Sequence, residues 1–146
     1  MPGPGPTTER YRVLVVDDEP RMIRFIRMNL EHDGFEVTEA TDGLAALKAL
    51  EAAKILKPRE YQLLADGYLF LRQLDHRLRL ERDQSLDAFD AEPGRLDGIA
   101  RALGYTSSSS ASSKRTGQSG KKLLRDYQLR REKIRACYER HFITNL

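Results

Sequence analysis

Strand-forming sequence is confined to the front of this chain, and that limits what the rest can build. Val13-Leu14-Val15-Val16 is a short unbroken apolar run, rich in β-branched residues, that ends at Asp17-Asp18. Such a run is what a strand covered on both faces of a parallel sheet looks like. Glu19-Pro20 opens a helix, because proline near a first turn lacks only an N–H that would have no acceptor there. Met22, Ile23, Ile26 and Leu30 recur at three- and four-residue spacing and give that helix one apolar face. Gly34 stops it after His32 and Asp33. Phe35 to Ala40 alternates as a second strand, Thr41-Asp42-Gly43 turns the chain, and Leu44 to Leu50 begins another helix. No later apolar run ends in an aspartate at strand spacing. A sheet of two strands leaves the first with an open edge, where each buried, unpaired N–H or C=O costs about 1–3 kcal/mol. Downstream helices must cover that edge, another chain must pair with it, or the region is poorly ordered.

Beyond that point the sequence is helical. Ala45 to Leu56 has an apolar side of Leu47, Leu50, Ala53 and Ile55 or Leu56, and Lys57-Pro58 breaks it. The pattern predicts a long helix from about Arg59 to Arg82, with Tyr61, Leu64, Tyr68, Leu71, Leu74 and Leu78 on one side, widened by Leu63 and Phe70. Asp83 to Pro93 is a polar connector, and a short helix from Leu96 to Leu103 ends at Gly104, with Tyr105 just beyond. Thr106 to Gly120 is rich in Ser and Gly and reads as a flexible loop, with too little apolar surface to offset ordering. A last helix, Lys121 to about Phe142, carries Leu123, Leu124, Tyr127, Ile134, Cys137, Tyr138 and Phe142 on its apolar side. The opening MPGPGP is expected to be disordered.

The chain has 146 residues, which suits one domain or two small ones. No apolar run reaches the roughly 18 residues that span a bilayer, and the N-terminus has no apolar signal region, so neither membrane insertion nor secretion is expected. Cys137 is the only cysteine. That excludes an internal disulfide, fits a reducing cytoplasm, and among Ile134, Tyr138 and Phe142 reads as a buried, inert thiol. The net charge of +3 is uneven. Residues 1–50 carry 6 Lys/Arg against 9 Asp/Glu, and residues 51–146 carry 19 against 13. The last helix concentrates the positive charge. With no nucleic-acid motif beside it, a solvated face is the plainer reading, and nucleic acid is not expected as a partner.

LVVDDEP followed by GFEVTEATDG resembles the response-regulator receiver family, in register from Arg12 to Leu47. The resemblance implies an α/β fold in which Asp17 and Asp18 form an acidic pocket that holds Mg²⁺, a hard cation that prefers oxygen ligands. It also shows what is missing. A receiver accepts a phosphoryl group on an aspartate ending its third strand, and the nearest candidate, Leu63-Leu64-Ala65-Asp66, lies too late and within a helical period. Lys57-Pro58 resembles the family's Lys-Pro pair but precedes any possible acceptor.

YLFLRQLDHRLRLERDQ, LDGIARALGY and LLRDYQLRREKIRACYERHF carry a second resemblance, from about Leu50 to Phe142, with the Ser-rich loop as an insertion. They look like the helical domain of glutamine synthetase adenylyltransferase, related to that of the PII-uridylyltransferases. In that family nucleotidyl transfer uses a Gly-Ser element and paired aspartates of a separate domain, which binds metal and ATP. The fragments here, Ser119-Gly120 and Asp87-Ala-Phe-Asp90, have the wrong form for it. The resemblance therefore implies a docking module, with glutamine synthetase or PII as protein partners and no catalytic residues or cofactor of its own. Asp75, His76 and Arg77 do not form a triad, since neighbours on a helix point about 100° apart. His32 and His141 lie near helix ends and take no ligand role, and no spacing suggests zinc.

The expected fold is mixed: a β-α-β-α half of a receiver-like unit over residues 10–48, then an all-α bundle segment over 49–105 and 121–146, with a tail at 1–9 and a loop at 106–120. Three functions remain open. They are a non-catalytic interaction fragment linked to nitrogen regulation, a phosphorelay receiver signalling through its helical tail, and a fused remnant with no independent activity. Self-association through the open strand edge is a further possibility.

Overall fold

A computed structural model describes residues 10–82, 91–106 and 117–143. The tail 1–9, most of the expected connector with Asp87 and Asp90, and residues 107–116 of the Ser-rich loop lie outside the described residues. The chain divides into two units, Met1–Tyr61 and Gln62–Leu146. The division falls later than the residue 48 expected from the receiver motif, because the helix after the second strand packs on the sheet.

The first unit runs β1 (Arg12–Val16), α1 (Pro20–His32), β2 (Glu36–Ala40) and α2 (Gly43–Ala52). The strands pair in parallel, with Val13 opposite Val37 and Val15 opposite Thr38's neighbour Glu39. Both helices contact both strands and not each other. Two helices on one face of so narrow a sheet would touch, so α1 and α2 lie on opposite faces, as a doubly covered parallel pair requires. Val15, Ile23, Ala40 and Leu56 form the buried apolar centre. The helix starts follow from local chemistry. Pro20 sits in the first turn of α1, while Asp42 caps α2 by accepting the Ala45 N–H at 2.7 Å, a bond of about 1 kcal/mol. Two expectations change. α2 stops at Ala52 and does not reach Leu56, with Lys54 in the left-handed region at φ 60°. Met22, expected on the inner face of α1, is exposed, because Ile23, Ile26 and Leu30 already cover the sheet.

The second unit takes its core from three helices: α3 (Pro58–Arg82), α4 (Pro93–Ala102) and α5 (Gln118–Phe142). Phe70, Leu74 and Leu78 of α3 recur one turn apart and meet Leu96, Ile99 and Ala100 of α4 and Leu123 of α5. Each fully buried leucine of this kind contributes about 1.5–3 kcal/mol. Leu63-Leu64-Ala65-Asp66 lies inside α3, so it is no strand. The expectation of a core position for Tyr138 is corrected: its side chain is 56% exposed.

α4 and α5 both begin earlier than their periodicity suggested: Pro93 sits in the first turn of α4, and α5 is started by one buried side chain. The Asp97 carboxylate of α4 accepts the backbone N–H of Gly120 at 2.8 Å and that of Gly117. Amides that would otherwise be orphaned at the start of α5 are thereby satisfied from another helix. The helix therefore starts at Gln118, inside the stretch read as loop. Gly117 holds φ at +95°, and Gly120 lies so close to α4 that an added Cβ would fall 1.9 Å from the Pro93 carbonyl oxygen.

Burial by itself pushes the Asp97 carboxyl up, but the N–H groups of Gly120, Gly117 and Ser119 and the Arg101 charge outweigh it. The net folded value falls below the ordinary 3.8. A lowered folded pKa means that the carboxylate's stabilisation is fully present above the unfolded value and is lost as pH falls through the folded one. Asp97→Ala is expected to cost about 2–3 kcal/mol at neutral pH. Its difference from the parent chain in urea melts should shrink as pH drops below about 4. Gly120→Ala should cost at least about 2 kcal/mol through overpacking against Pro93.

Candidate functional site

The acidic pair stands at the C-terminal end of β1, where the sheet edge opens. Asp17 is half-buried and Asp18 exposed. Asp17 Oδ1 accepts the Glu19 N–H at 2.7 Å and so shapes the turn into α1. Among the described residues no third carboxylate, imidazole or thiol joins the pair at ligand distance. Two adjacent carboxylates, one already holding a backbone amide, suit a largely hydrated Mg²⁺ and offer little more. Asp66, the nearest candidate for a phosphoryl acceptor, is on α3 and accepts from Gln62 at 2.9 Å.

The second unit offers a surface of another kind. Leu71 of α3 and Tyr127, Ile134 and Tyr138 of α5 line an open apolar groove, with Arg131 and Arg135 at its rim. α3 and α5 approach closely beside it, since a Cβ on Gly67 would stand 2.6 Å from Ile134 Cδ1. Helical periodicity explains the lining: positions 127, 131, 134, 135 and 138 share one face of α5. Arg135 is braced by Glu139 at 2.9 Å, and both Arg131 and Tyr138 are exposed.

A polar chain also ties the three helices. Tyr105, just past Gly104 at the end of α4, donates its hydroxyl hydrogen to Asp126 of α5. Asp126 accepts from Arg130 at 3.0 Å, and the Arg130 guanidinium lies 4.7 Å from the centre of the Phe70 ring. Burial and then the Asp126 carboxylate push the Tyr105 phenol well above its usual range, so it stays a donor at any physiological pH. The Leu-Gly-Tyr helix end was visible in the sequence, but its partner was not. Asp126 lies 21 residues away across the Ser-rich loop.

His76 is exposed beside Gln73, Arg77, Ala102 and Leu103, while Asp75 bonds Arg79 at 2.8 Å, so Asp75, His76 and Arg77 do not converge. Cys137 is buried, as its neighbours suggested. Asp97 is the residue that sequence reading passed over. A lone acid between Leu96 and Ile99, on the inner face of an amphipathic helix, is the signal that could have found it.

Comparison with known proteins matches residues 21–142 to the family model for the GlnD PII-uridylyltransferase. The chain belongs to that family. It is also 34% identical over 62 residues to a bifunctional glutamine synthetase adenylyltransferase/adenylyl-removing enzyme of Xanthobacter autotrophicus, covering 42% of this chain and 6% of that protein. The counterpart in Stenotrophomonas maltophilia is 39% identical over 62 residues, 42% of this chain and 7% of that protein. A different likeness is to the alkaline phosphatase synthesis transcriptional regulatory protein PhoP of Bacillus subtilis, 44% identical over 43 residues, or 30% of this chain and 18% of that one. The chain thus spans well under a tenth of the adenylyltransferases and less than a fifth of the regulator. No solved structure matches it. Among the described residues, no helix is long and apolar enough to cross a membrane.

Tyr105→Phe removes one hydrogen bond and leaves Asp126 paired with Arg130. It is expected to lower stability by about 1 kcal/mol in denaturant titration, with α3–α5 helicity retained.

Proposed function

We propose that this chain is a non-catalytic interaction module of nitrogen regulation, with its helical unit as the docking part and the receiver-like unit as a front end. The observation that carries the reading is the groove of Leu71, Tyr127, Ile134 and Tyr138 with Arg131 and Arg135 at its rim. An apolar strip beside guanidinium groups suits a partner helix or loop that presents apolar side chains flanked by carboxylates. The adenylyltransferase relatives act on glutamine synthetase by their printed names, and the family model names PII. These are the protein partners proposed here. Mg²⁺ at Asp17 and Asp18 is proposed as weak and accessory, held by the two carboxylates and otherwise by water.

A second reading, that the front end works in a phosphorelay, is favoured by the PhoP likeness alone. It requires an acceptor that no residue of the first unit supplies at the expected position, so labelling by acetyl phosphate is its test.

For the docking reading, the full chain is titrated against purified glutamine synthetase with and without PII. Saturable binding is expected, and the R131E/R135E variant should weaken it tenfold or more, about 1.4 kcal/mol or above, by turning steering into repulsion. A well-folded sample that binds neither protein would remove the docking reading and leave a remnant without independent activity in front.

A further inference from the structure

The open edge of β1 has a self-complementary design. Glu36 N–H donates to the Tyr11 carbonyl, and Asp17 N–H donates to the Ala40 carbonyl. Odd-numbered residues of β1 therefore turn their backbone groups toward β2. Strand alternation aims the N–H and C=O groups of Arg12, Leu14 and Val16 the other way, at the open edge. β1 packs against β2, α1 and α2, in a sheet of two strands among the described residues. Helices on both faces support the two strands, while the outward N–H and C=O groups of β1 remain available to pair with a further strand.

We propose that two copies of this chain associate through β1, antiparallel and centred on Leu14, to form one continuous sheet ordered β2-β1-β1-β2. In this register Leu14 faces Leu14 of the second copy, and Arg12 faces Val16 at either end. Each of these pairs exchanges N–H···O=C bonds in both directions, so every outward backbone group of the strand is used. A shift by two residues in either direction carries the pairing past one end of the strand.

Charge selects the same arrangement. β1 is entered through Arg10 and Arg12 and left through Asp17 and Asp18. Antiparallel pairing sets the basic end of one copy beside the acidic end of the other, and the two-fold axis repeats the contact. Arg12 then comes beside the Asp17-Asp18 turn that follows Val16 of the second copy, a neighbour that a long, flexible side chain can reach. Parallel pairing would stack like charges instead. A two-fold axis normal to the sheet also sets both α1 helices on the same face. There the exposed stripe of Met22, Phe25 and Met28, 43%, 66% and 64% accessible, gives each helix apolar surface to contribute.

Sedimentation equilibrium of the full chain over micromolar concentrations tests the proposal. A monomer–dimer equilibrium is expected. R12E and D18R should each weaken it about tenfold, and the R12E/D18R double variant should restore it. The two positions lie at opposite ends of β1, so only contact between copies can produce that rescue. Hydrogen exchange supplies a readout that needs no variant: the Arg12, Leu14 and Val16 amides should exchange more slowly as the concentration rises. A monomer throughout, a dimer indifferent to the single variants, a double variant without rescue, or amides insensitive to concentration would each overturn it.

Discussion

The helical unit depends on a buried anion placed where a helix needs one. Asp97 sits among Leu96, Ile99 and Ala100, and an isolated carboxylate there would be strongly disfavoured. It stays ionised because the start of α5 offers it backbone N–H groups and the positive end of a helix dipole. The dependence runs both ways. Without the carboxylate, the first amides of α5 are buried with no acceptor. Without α5, the carboxylate loses its partners. That reciprocity brings α5 down onto α4 at the Pro93–Gly120 contact, and from there Leu123 enters the core and Asp126 comes within reach of Tyr105.

The first unit has a different physics. Its two strands and two helices form the layering of a parallel α/β fold, with one ladder among the described residues. An exposed ion pair joins α1 to β2, Arg27 with Glu39 at 3.0 Å, and a pair this open to solvent contributes little. The buried centre is small: Val15, Ile23, Ala40 and Leu56. A receiver would add strands beyond β1 and helices beside α1. Among the described residues no further strand pairs with β1, and Met22, Phe25 and Met28 of α1 stay exposed.

Family membership and geometry bear on different questions. The family model spans most of the chain, while the individual relatives share only short segments of their own length with it. Fold membership by itself does not fix a function, which rests on the residues of a particular site. What the helical unit itself presents is an arginine-rimmed apolar groove, a surface suited to recognition.

The sequence by itself determined the local elements. The VLVV run, the Pro20 and Pro58 helix starts, the Gly34 and Gly104 stops and the leucine spacing of α3 all act through neighbours a few residues away, and each element formed where they placed it. Boundaries set by distant partners were not legible. α5 begins at Gln118 because Asp97, 23 residues before Gly120, supplies the acceptor. Tyr138 and Met22 share the periodicity of their buried neighbours, and only the packing shows that they stay exposed. Periodicity reports which face of a helix is apolar. Whether that face is core or free surface depends on which other elements arrive there, and those contacts exist only in the tertiary structure.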